Sequence, residues 1–214
     1  MTRGIEISGA ELVVKADDLA ALKRFYVDEL GFSCRSSERD RLELAAGRAT
    51  LTFVGNSGAA RPFYHFALLI SGNRFDAARD WLAATTSLLS QPDEEATTFE
   101  FDSWDAQACY AHDPASNIIE LIAHRGIEES DETGPFDADE LRGLSEVGLV
   151  AGGLPRAIEV LRSVGLELWS GKLDEQGSSL GFIGRQAHTL ILCSAGRPWL
   201  PTGRPAELHR SRSQ

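Results

Sequence analysis

Glu120 lies in the run Ile118-Ile119-Glu120-Leu121-Ile122, where all its neighbours are apolar. If the run is a strand, Glu120 shares a face with Ile118 and Ile122. A carboxylate there is costly unless it is exposed, paired or bound to a metal. An arginine such as Arg48 would satisfy it, and so would a divalent cation. Tyr64, Trp104 and Tyr110 either line a cavity for an aromatic or apolar substrate or pack the core. Arg197 lies in the run Gly196-Arg197-Pro198-Trp199-Leu200-Pro201-Thr202. It could clamp a substrate carboxylate; the alternative is a structural tail that packs Trp199 onto the last part of the fold.

These residues are positioned by a repeated set of elements. Asp113-Pro114-Ala115-Ser116 reads as a type I turn between strands at Cys109–Ala111 and Ile118–Ile122, which makes a β-hairpin. Before it, Glu11–Ala16 reads as a first strand, and Asp17-Asp18 cap a helix over Leu19–Leu30 that stops at Gly31. Strands follow at Phe32–Arg35, Leu42–Leu44 and Ala49–Val54, so the unit is β-α-β-β-β. After a linker, Asn56–Pro62, the order repeats. His65–Ile70 is a strand, Phe75, Ala78 and Leu82 lie on one helix face, Phe99–Phe101 is a strand, and the hairpin completes the unit. Residues 126–143 are acidic and poor in apolar side chains, which predicts an exposed connector.

A third copy then begins. Glu146 stands eight residues before Leu154, as Glu11 stands eight before Leu19. Pro155 suits a first helical turn, Leu154, Ile158 and Leu161 share a face, and Gly165 ends the helix. Strands are expected at Leu166–Trp169, Leu180–Ile183 and Thr189–Cys193, and the Pro- and Arg-rich tail should fray beyond Thr202. The run ATLTF of the first unit matches HTLIL of the third, and such repeats set the architecture.

Composition narrows the function classes. The 214 residues carry a formal net charge of −11, which argues against a nucleic-acid or anionic-membrane binder, since either needs a basic face. No apolar run approaches membrane-spanning length, and Met1–Leu12 lacks the apolar core of a signal peptide. Cys34, Cys109 and Cys193 are odd in number and widely spaced. They read as buried thiols in a reducing cytoplasm.

Three groups of residues carry a family resemblance. They are Asp18-Leu19…Phe25-Tyr26…Leu30-Gly31-Phe32, His65-Phe66-Ala67, and Tyr110…Asp113-Pro114-Ala115-Ser116-Asn117-Ile118-Ile119-Glu120-Leu121. With the repeated β-α-β-β-β order they resemble the vicinal oxygen chelate superfamily, which includes glyoxalase I, extradiol dioxygenases and bleomycin-resistance proteins. The resemblance implies an α+β fold of repeated βαβββ modules. Two of them, about 8–54 and 62–125, would pair into a half-open barrel cleft, joined by connector 126–143 to a shortened third module and tail, 144–214. It also implies metal ligands on the first and last strands of each paired module: Glu11 and Thr52, then His65 and Glu120. The family's first-strand ligand is usually His, so Glu11 is a departure, and Thr52 is a poor ligand. Glu11, His65 and Glu120 would then hold a divalent ion (Fe, Mn, Ni or Zn), with open positions for a substrate bearing vicinal oxygens.

Glu11 or Glu120 could instead act as general base. The bland readings are an edge-strand polar residue for Glu11 and a satisfied half-buried histidine for His65. The competing function is a metal-free binding or sequestering protein of the bleomycin-resistance type. The third module needs cover for its apolar sheet face, which predicts a homodimer or packing against the first two modules. The family's turn glycine is Ser116 here, so Ser or Asn must take the positive-φ position.

Overall fold

The computed structural model describes residues 6–91, 94–127, 129–173 and 180–208. Gly9–Lys15 (β1), Cys34–Ser37 (β2), Arg41–Ala46 (β3) and Ala49–Asn56 (β4) form a four-stranded sheet in the order β1-β4-β3-β2. Leu19–Lys23 (α1) continues as a π-helix over Arg24–Glu29, where the adjacent Phe25 and Tyr26 are both buried. In this first module β3 alternates strictly. On β3, Leu42, Leu44 and Ala46 are buried while Arg41, Glu43 and Ala45 are half-exposed, the pattern of a sheet covered on one face.

The second sheet has eight strands. Module two supplies His65–Ile70 (β5), Phe99–Phe101 (β6), Ala106–His112 (β7) and Ile118–His124 (β8), with the helix Phe75–Thr85 (α2). Module three supplies Gly143–Ala151 (β9), Leu168–Gly171 (β10), Gly181–Arg185 (β11) and His188–Ser194 (β12), with the helix Leu154–Ser163 (α3). The order is β10-β11-β12-β9-β5-β8-β7-β6, so the seam is the antiparallel pair β5–β9. The chain is therefore α+β, built of βαβββ modules, two of which join in one curled half-barrel. The joined pair is two and three. The expected pairing of one with two is replaced by a back-to-back contact. The apolar face of the first sheet, α1, α2 and the outer face of β5, β7 and β8 share one core. The Tyr26 hydroxyl donates to Asp113 Oδ2 across that junction.

Three further expectations are revised. Strand β2 begins at Cys34, two residues later than read, because Phe32 is drawn into the core beside Tyr26. The acidic connector is only partly exposed: Phe136, Ala138 and Leu141 enter the main core, and Arg74 forms a two-point ion pair with Glu140. The tail does not end its order at Thr202. Pro198 bridges to Pro205, Ala206 donates to the Arg197 carbonyl, and Trp199 and Ala206 are buried. At the hairpin turn Ser116 takes the positive φ, 64°. Among the described residues no helix is long and apolar enough to cross a membrane.

Candidate functional site

Register alone places the main groups of the site. Across the eight-stranded sheet, Tyr110 on β7 stands opposite Glu120 on β8, Glu120 opposite Ala67 on β5, and Ala67 opposite Glu146 on β9. Thr189 on β12 follows Glu146. Two carboxyls thus project from strands two spacings apart, roughly 10 Å at the backbone, with only a methyl group between them. His65 lies two residues before Ala67 and so shares its face. That face is the concave one. Alternate residues of β5, β7 and β8 belong to the main core behind it, while Ala67, Ala108, Tyr110, Ile118 and Ile122 line the inner cluster.

His65, Glu120 and Glu146 are all buried, at 5%, 2% and 3% exposure, on the floor of a cavity of about 440 Å³. His65 Nε2 lies 2.9 Å from Glu120 Oε2, and the Tyr110 hydroxyl also hydrogen-bonds Glu120. His65 Nδ1 is buried without a partner. The His65 ring sits beside Trp199, 5.2 Å between centroids, and Trp199 lies on Gly148, where a Cβ would meet the indole at 2.8 Å. The opposite wall is aromatic. Trp104 packs edge-on to Phe182 at 4.4 Å and donates from Nε1 to Ser170 Oγ, bridging modules two and three.

Burial sets the protonation of the floor. It pushes Glu120 up to about 8, against the hydrogen bond from Tyr110. It pushes Glu146 up to about 8 as well, with the Glu120 charge adding to the rise and His65 opposing it. It pushes His65 down to about 4, with Glu146 opposing. At neutral pH without a cation, the carboxyls hold protons and the imidazole is neutral.

The donor set of one imidazole and two carboxyls matches in type what a divalent ion takes from N/O sites. The 2.9 Å separation of His65 and Glu120 is close to the edge between adjacent donors about 2.1 Å from a common octahedral ion. Glu146 faces the same cavity without being gathered to that pair. Among the described residues no three His, Cys, Asp or Glu groups converge tightly enough to cage an ion.

The expected site residues divide cleanly. His65, Glu120, Trp104, Tyr110 and Arg197 line the cavity. Glu11 does not reach it. It lies on the other sheet, 57% exposed, with Oε2 2.9 Å from Arg41 Nη1, because the sheet of module one is separate from the one that carries His65 and Glu120. Thr52, its register partner on β4, stays with it. Tyr64 precedes His65, so it points to the opposite face and packs against the main core. The partners of Glu120 are His65 and Tyr110, in place of the arginine considered for it. Glu146 takes the place expected of Glu11. Its signal was the shared eight-residue offset to the following helix.

No protein-family model matches the chain, and no curated protein sequence matches it. Solved structures do. Glyoxalase I from Zea mays superposes with a TM-score of 0.52 at 19% identity, covering 88% of this chain and 66% of that one. A provisionally assigned dioxygenase from Bacillus subtilis superposes at 0.60 and 15% identity, covering 96% and 68%. The chain thus spans just under two thirds of the maize protein's length. It shares the fold of glyoxalase I.

Proposed function

We propose that the cavity between modules two and three is the site of a divalent-metal-dependent enzyme acting on a small substrate with two adjacent oxygens. His65, Glu120 and Glu146 are the protein's donors. One observation carries this reading. Two buried carboxyls and a neutral imidazole share the floor of a mostly apolar and aromatic cavity, and no lysine or arginine among the described residues pairs with either carboxyl. A bound ion would polarise the substrate oxygens as a Lewis acid. The chain's own groups do the rest. Tyr110 and His65 fix the orientation of Glu120. Glu146, which makes no side-chain hydrogen bond among the described residues, holds its proton at neutral pH without a cation; a bound cation favours its carboxylate form, which is the form that accepts a proton from the substrate carbon. Trp104, Phe182 and Trp199 keep bulk water from the floor.

A second reading, a metal-free binding protein, is favoured by the contact of His65 Nε2 with Glu120 and by the described residues' forming no preformed cage. Elemental analysis of untagged protein purified without added metal separates the two. Stoichiometric Fe, Mn, Ni or Zn, lost on chelation and restored by one of these ions, is expected. Metal-free protein that gains none on reconstitution points to the binding protein.

A further inference from the structure

The acids and base of the floor are absorbed by the function above; Arg197 is not. It follows β12 by three residues, lines the same cavity, and is half-buried. Its Nη1 donates to the Pro198 carbonyl at 2.7 Å, while its Nε is buried with no acceptor. No carboxylate among the described residues lies within ion-pair range of it. That is unusual in a chain with 32 acidic and 21 basic residues, where Arg41, Arg74 and Arg125 each pair with one or more carboxylates. Its backbone is held from both sides: the Arg197 amide donates to the Ser194 carbonyl, and the Arg197 carbonyl accepts from Ala206. Burial lowers the pKa of the guanidinium. A fixed, half-buried guanidinium whose Nε has no acceptor is a standing cost unless a ligand supplies one.

We propose that Arg197 anchors a carboxylate carried by the substrate, so that the cavity takes a small monocarboxylate with an apolar or aromatic body. The planar guanidinium fork matches a carboxylate in two-point geometry. A dianion such as phosphate is disfavoured, since the cavity has a single arginine or lysine among its described lining residues and two acids on its floor. The body of the ligand meets Trp104, Phe182 and Trp199, and about 440 Å³ is within the range of small-molecule pockets. The inference rests on the cavity being the substrate site, as proposed above, and does not require the metal.

The test uses two probes of one shape, 3-phenylpropionate and its neutral amide, titrated into the full chain with tryptophan emission as readout. Wild type should bind the carboxylate at least about tenfold more tightly than the amide, the scale of a charged hydrogen bond. Arg197→Met should abolish the preference at unchanged melting temperature, and Arg197→Lys should keep part of it. If the Met variant does not fold, Arg197→Gln replaces it. Equal affinities in wild type, no binding of either probe, or a preference that survives Arg197→Met overturns the proposal. Each titration is repeated after chelation. A preference lost with the metal but kept in Arg197→Met puts the carboxylate on the ion, which refutes the anchor and leaves the metal reading standing. A preference intact in chelated wild type and lost in Arg197→Met supports the anchor, even if reconstitution shows that no metal binds.

Discussion

Glu120 and Glu146 each shift from an ordinary carboxylate range to about 8, and the direction has a thermodynamic consequence. In the unfolded chain both ionise near pH 4.5; in the folded, metal-free chain both keep their protons to about pH 8. Between those values the folded state binds more protons than the unfolded one, so stability falls as pH rises through the window. The slope is at most about 1.4 kcal/mol per pH unit for each carboxyl. His65 works in the other direction, but its window, from 6.5 down to about 4, lies below neutrality. Chelated protein should therefore melt at a lower temperature at pH 8.5 than at pH 6.5. Saturating Mn(II) should reduce or reverse the difference, since an ion compensates the ionised carboxyls. Melting temperatures with no such fall would place these carboxyls in a wetter setting than the fold gives them.

At the scale of elements, the cavity depends on one close approach. Gly148 on β9 leaves room for the Trp199 indole, and a Cβ there would meet the ring at 2.8 Å and the His65 carbonyl at 3.2 Å. Gly148→Ala should displace Trp199 from His65 and cost about 1–3 kcal/mol. At about 2–4 °C per kcal/mol for a chain of this size, melting curves resolve that loss, and exposure of the indole should shift its emission to the red. An unchanged melting temperature and emission would mean that the tail is not seated on β9. The strands were readable because their periodicities differ. HFALLI and IIELI are apolar apart from His65 and Glu120 and are buried on both faces, whereas RLELAA alternates and is buried on one. The packing of Trp199 was among the readings of the tail, but its order beyond Thr202 was not, because the Pro- and Arg-rich composition hides the buried Ala206 and the backbone pairing of 204–206 with 197–199.

For the whole molecule, the deciding fact is which two modules share a sheet. The family resemblance singled out His65 and Glu120, and one module contains both. The third donor proposed above was not legible, because Glu11 and Glu146 hold the same place in their modules and only tertiary pairing separates them. Physical traces of that choice were present. The inner face of module one carries Arg41 and Glu43 beside Glu11, a set that satisfies itself in water, whereas β12 of module three reads as the apolar run Leu190–Cys193. The join of β9 to β5 seats the third module against the second, one of the two arrangements expected for it beside a homodimer. The most direct test of this arrangement is Mn(II) affinity, followed by the loss of the free-ion paramagnetic resonance signal, in Glu146→Gln and Glu11→Gln beside wild type. The account predicts that Glu146→Gln weakens binding at least about tenfold, the scale of a lost charged donor, and that Glu11→Gln leaves it unchanged. The reverse pattern, or an effect in neither variant, would contradict it.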